Sequence, residues 1–191
     1  MVSKYVTLEK IDADNLDTVL DDPDSIGTHI MFKSLSPGSY ILALGKTVNW
    51  GNAIFIGKED GKNMFIEIAT YWKSPGVKTV HKINQKSLFN GCDKIIIYKV
   101  KYSMVNSKAS VNARDWALEA FEKYETFCRE SSKAFRKAVD EYIKKGIDET
   151  EKHLDKKESF TKQFKSLNFA FWCWTGVRLE ITEDMLLKTL H

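Results

Sequence analysis

Ser166-Leu167-Asn168-Phe169-Ala170-Phe171-Trp172-Cys173-Trp174-Thr175-Gly176 is the stretch on which the fold turns. Phe169, Phe171, Trp172 and Trp174 fall around almost the whole circumference of a helix. Such a pattern predicts a central helix packed by a sheet and by other helices, not one with a wet face. A second stretch, Asn49-Trp50-Gly51-Asn52-Ala53-Ile54-Phe55-Ile56-Gly57, places an apolar run between two glycines and reads as a strand.

Outward from the strand, β-type segments succeed one another. Tyr40 to Leu44 follows the turn Ser36-Pro37-Gly38-Ser39, and Met64 to Ala69 follows Glu59-Asp60-Gly61-Lys62. Val77 to Ile83 alternates, and Lys94 to Tyr102 carries Ile95-Ile96-Ile97 and then alternates. Short spacers with Gly and Asp predict an antiparallel sheet built largely from hairpins. After Tyr102 the period becomes helical. Asn112 with Asp115 resembles a capping box, and Trp116, Ala120, Tyr124, Phe127 and Cys128 recur at helical spacing. Phe135 to Ile143 repeats that spacing, and Ile147 to Lys162 is highly charged. Before residue 36, Leu8, Ile11, Leu16 and Leu20 fit one short helix ended by Asp21-Asp22-Pro23-Asp24. A strand-rich first half and a helix-rich second half give the fold class α+β.

The chain has 191 residues, 43% hydrophobic and 29% charged, with a formal net charge of +3. This suits one folded domain with a real core. The lysines from Lys133 to Lys165 alternate with acids as on a solvated helix face, and no base-stacking motif accompanies them, so no specific nucleic-acid signal emerges. Cys92, Cys128 and Cys173 are an odd number at wide spacings, which suits free thiols in a reducing, cytoplasmic setting. No apolar run resembles a signal peptide or approaches the roughly 20 residues of a membrane span. No metal or cofactor is predicted; His29, His153 and His191 stand in no ligand or triad context.

The order of blocks Pro37-Gly38-Ser39-Tyr40-Ile41, Gly51-Asn52-Ala53-Ile54-Phe55-Ile56-Gly57 and Asp60-Gly61-Lys62-Asn63-Met64-Phe65-Ile66-Glu67-Ile68-Ala69 resembles the lecithin:retinol acyltransferase-like (LRAT-like, H-box/NC) family. There the blocks read P-G-D-x-I, H-W-A-I-Y-I-G and D-G-x-x-I-H-L-A. The family's nucleophile block, N-C-E-H-F with a later glycine, is similar to Lys165-Ser166-Leu167-Asn168-Phe169 with Gly176. A competing register puts Asn168 on the family asparagine and Phe169 at the nucleophile. The resemblance implies a permuted papain-like arrangement over residues 37–178, with a charged helical insertion at about 130–162. Residues 1–36 are then an N-terminal extension and 179–191 a tail.

The resemblance carries the family's Cys-His-His set onto Ser166, Gly51 and Glu67. Glycine offers no base, and serine without a base is a very weak nucleophile near neutral pH. The implied function is a catalytically inactive domain that binds a protein partner or a lipid or acyl ligand, with peripheral membrane association open. The alternative is an acyltransferase or phospholipase-type acyl hydrolase that uses Ser166 with a relocated base, His81. Asn49, Asn52, Phe169 and Trp172 are the candidate binding residues. Cys173 lies about 10 Å along the helix from Ser166 and reads as a packing thiol.

Overall fold

The computed structural model describes residues 6–34, 50–70, 78–89, 94–103, 112–122, 165–176 and 181–190. Six strands form one sheet: β1 (Val6–Ile11), β2 (His29–Ser34), β3 (Gly51–Glu59), β4 (Lys62–Thr70), β5 (Lys78–Asn84) and β6 (Ile95–Tyr102). Their order is β1-β6-β2-β3-β4-β5, and every neighbouring pair is antiparallel. The helices are α1 (Leu16–Leu20), α2 (Gln85–Leu88), α3 (residues 112–122), α4 (Ser166–Thr175) and α5 (Glu183–Leu187). The α+β class and the antiparallel sheet are as the sequence predicts. Among the described residues no helix is long and apolar enough to cross a membrane.

The hairpin joining β3 to β4 turns at Asp60 and Gly61, whose φ angles are 51° and 72°. Two central residues with positive φ match the twist of the flanking strands, which is why Asp-Gly serves there. Strand alternation then sorts side chains between two faces. On one face Ile54, Ile66, Ile68 and Val80 pack with Ala113, Ala117 and Ala120 of α3 and with Phe169, Ala170 and Cys173 of α4. Small residues at Ala113, Ala117 and Ala120 share one side of α3, which lets its backbone approach closely. Further along that face, Val6, Met31 and Val100 meet Leu167 and Phe171 of α4, with Ile181 and Leu186 from the C-terminal segment. On the other face Ile11, Ile30, Ala53, Phe55, Phe65 and Ile97 cover Leu16 and Leu20 of α1.

The N-terminal third departs from expectation. Val6–Ile11 is a strand, not the start of a helix running through Leu20, and β6 pairs with it along its whole length. Only Leu16–Leu20 is α-helical, entered through a 3₁₀ turn at Ala13–Asn15. The stretch expected as an extension, residues 1–36, supplies β1 and β2 to the sheet. β6 lies between β1 and β2 instead of forming a hairpin with β5. The predicted strand Tyr40 to Leu44, the helical spacing from Tyr124 to Ile143 and the charged stretch Ile147 to Lys162 lie outside the described residues, as do Cys92 and Cys128.

Helix α4 ends at Gly176, which has φ 69° and donates its N–H to the Trp172 carbonyl at 2.8 Å. A left-handed residue closing a helix is most often glycine because a Cβ is disfavoured there. Here space adds a second reason: a Cβ on Gly176 would come within 2.7 Å of the Trp116 ring.

Candidate functional site

The polar residues of the helix-covered face converge beside the first turn of α4. His29 is the first residue of β2, fully buried, and pairs across the sheet with Ile54 on β3 and Val100 on β6. Its diagonal neighbours two residues away on those strands are Asn52 and Tyr102. The His29 Nε2 lies 2.9 Å from Asn52 Oδ1, and its Nδ1 lies 2.7 Å from the Tyr102 hydroxyl. An amide oxygen only accepts, so Nε2 carries the proton; Nδ1 then accepts from the tyrosine O–H. Burial pushes the His29 pKa down to about 4, against the opposing influence of the Asn52 hydrogen bond. The ring is therefore a neutral imidazole near pH 7, with its one lone pair engaged.

Asn52 is also fully buried. Its Nδ2 donates to Ser166 Oγ at 3.2 Å and to Glu183 Oε1 at 3.2 Å. The Glu183 carboxylate fixes the amide orientation, because it only accepts and so must face the nitrogen; the oxygen is then the atom that faces His29. Ser166 is the first residue of α4 and half-buried; Lys165 before it is extended and makes no side-chain cap. The Ser166 oxygen thus receives a hydrogen bond from a group unable to take its proton. The chain Tyr102–His29–Asn52 ends on a hydroxyl and a carboxylate.

The residues carried over by resemblance do not come together. Gly51 faces the α1 side, where a Cβ would lie 2.3 to 2.8 Å from ring atoms of Phe32. Glu67 stands opposite Ala53 on β3 and His81 on β5. Ala53 and Phe65 belong to the cluster over α1, so by alternation Glu67 and His81 share that face. Ser166 is on the opposite side of the sheet, and His81 is no base for it. Burial raises the Glu67 carboxyl to about 7 although part of the side chain remains exposed.

Among the candidate binding residues, Asn52 joins Ser166, and Asn49 lies outside the described residues. Phe169 is fully buried core, and its ring stacks on Trp172 with centroids 6.1 Å apart. Trp172 is half-buried and tilts against Trp116 at 5.4 Å. Cys173 is a buried free thiol in the α4 core, with its pKa pushed well up by burial. Among the described residues no group of three or more His, Cys, Asp or Glu could hold a metal ion.

Sequence reasoning passed over His29 and Glu183. The apolar run Ile30-Met31-Phe32 after Gly27 and Thr28 does mark a strand, and a histidine at its head is the one available signal. Nothing local connects it to Asn52, because strand register makes that connection. Compared with protein-family models, curated proteins and solved structures, the chain matches none.

Proposed function

We propose that this chain is a catalytically silent LRAT-like domain that works by binding a protein or lipid partner. The observation that carries this reading is the contact at Ser166: the group facing its oxygen is the donating nitrogen of Asn52. Nucleophilic catalysis needs an acceptor there to draw the proton from the hydroxyl. The buried imidazole stands one residue further back, neutral and hydrogen-bonded on both nitrogens. An antiparallel sheet beneath a helix that begins at Ser166 is in keeping with the family resemblance of the sequence.

The test is acyl release from short-chain phospholipid and thioester substrates by the native protein and by Ser166→Ala. The expected result is no turnover above buffer in either. Native turnover abolished by Ser166→Ala would replace this reading with a serine acyl hydrolase. In that event a His29→Gln variant, whose loss of turnover would identify the base, becomes the next measurement.

A further inference from the structure

We infer that the C-terminal segment, residues 181–190, closes the Ser166–Asn52 site with an internal carboxylate, and that the opened site takes a carboxylate ligand in its place. Glu183 Oε1 and Ser166 Oγ both lie 3.2 Å from the same nitrogen, so the acid sits beside the helix start as a ligand would. Asn52 is held from behind by His29, and His29 by Tyr102, without help from Glu183. When Glu183 leaves, the donor keeps its aim: Asn52 Nδ2 stays on Ser166 and still points at the vacated position, where a carboxylate makes a stronger, charge-assisted acceptor than water. The Ser166 hydroxyl, whose oxygen accepts from Asn52, keeps its own proton to offer a second bond.

The segment is built to come away. Its helix, Glu183–Leu187, has five residues and continues into a single turn, Lys188–Leu190. Helices so short have little stability of their own and rely on docking. Docking here rests on Ile181 and Leu186, buried against Val6, Met31, Leu167 and Phe171, while Met185 and Leu190 are 48% and 42% exposed. Glu183 itself is half-buried, so the acid lies at the rim, where a second carboxylate can reach it. Units of this kind open locally while the rest of the fold stays intact.

This inference rests on the binding reading above and deepens it by naming the ligand chemistry. Its test follows the Asn52 side-chain amide by ¹⁵N–¹H spectroscopy during titration with acetate, octanoate and octan-1-ol. Because Glu183 competes for the donor, apparent affinity is reduced by the fraction of time the site is open. Glu183→Ala should bind acetate or octanoate about tenfold more tightly than the native protein, or better, and leave octan-1-ol unchanged. Leu186→Ala, which loosens the segment with the acid intact, should shift affinity the same way by a smaller factor. Glu183→Gln, whose neutral amide oxygen accepts from Asn52 more weakly than a carboxylate, should fall between the native protein and Glu183→Ala. A gain with octanoate alone assigns the carboxylate to an acyl chain; a gain with both assigns it to the carboxylate itself. Equal carboxylate affinity in native, Glu183→Ala and Leu186→Ala proteins would overturn the inference, as would an octan-1-ol gain matching that of octanoate or a Glu183→Gln gain matching Glu183→Ala. Failure here with no acyl turnover leaves the silent-domain reading standing, whereas turnover removes that reading whatever the titration gives.

Discussion

The two faces of the sheet each hold a knot of polar side chains, and the knots differ in where they end. On the α1 face Asn63 Nδ2 donates to Asp17 at 2.9 Å and to Gln85 at 2.8 Å, and Gln85 Nε2 returns to Asp17 at 2.9 Å. That triangle joins α1, β4 and α2 and closes on itself, as a structural tie does. On the α4 face the chain from Tyr102 crosses β6, β2 and β3 and stays open, ending on Ser166 and Glu183 at the rim. The closed knot turns its donors back on the fold, although the buried Asn63 Oδ1 has no partner among the described residues; the open one presents a donor and a hydroxyl at the rim.

The sharpest way to break this contrast is to place an imidazole on each face in turn. In a Ser166→Cys background, Asn52→His should raise thioester or phospholipid turnover about 10²–10⁴-fold over Ser166→Cys alone, because it puts a general base on the nucleophile's side. Gly51→His in the same background should give no gain, since its ring would be driven into Phe32 on the far side. Equal rescue by both substitutions would mean that strand register does not separate residues 51 and 52 as described.

Stability gives a smaller but cleaner comparison. Asn52→Leu leaves the His29 N–H buried without its acceptor, and the expected loss is about 1–3 kcal/mol by urea denaturation. Gln85→Ala, at the half-exposed edge of the closed triangle, should cost less than about 1 kcal/mol. Similar losses would make the open chain no more than another tie.

The pH dependence of folding should carry opposite signs on the two faces. Glu67 is raised from its ordinary 4.5 to about 7, so between those values the folded state holds more protons than the unfolded one. Stability from that face falls as pH rises through the window and levels off above about 7. His29 is lowered from 6.5 to about 4, so the folded state holds fewer protons and stability rises with pH across that interval. Where the windows overlap the two slopes oppose, each at most about 1.4 kcal/mol per pH unit. Glu67→Gln should therefore unmask a rising slope and His29→Gln a falling one, measured as unfolding midpoints from pH 4 to pH 7.5. Identical slopes in both variants would contradict the assignment.

The most local effect concerns the helix end. Gly176→Ala should lower stability by about 1–2 kcal/mol, through its left-handed backbone and the Trp116 contact, and leave the Asn52 amide signals unmoved.

What could be read from the sequence was what depends on neighbours along the chain. The Asp60-Gly61 turn, the apolar run at Ala53 to Ile56 and the start of α4 at Ser166 are local signals. The strand at Val6–Ile11 was hidden because Leu8, Ile11, Leu16 and Leu20 also satisfy helical spacing, while its partner Tyr102 lies far along the chain. The site was hidden more deeply. Gly51 and Asn52 differ by one position, and one position in a strand decides the face. Glu183 reaches Asn52 from 131 residues away, a proximity no local pattern encodes.

The placement of β6 has a consequence for how the molecule is made. β1 and β2 precede the other described strands along the chain and are not hydrogen-bonded to each other; Ile95–Tyr102 pairs with both, and β2 pairs with β3 as well. Until that strand arrives, β1 has no partner among the described strands and its hydrogen-bonding edges stand open, a state in which chains associate wrongly. The same strand delivers the Tyr102 hydroxyl that donates to His29 Nδ1. Completion of the sheet and of the His29 end of the site thus depends on one strand, while Ser166 and Glu183 follow it along the chain.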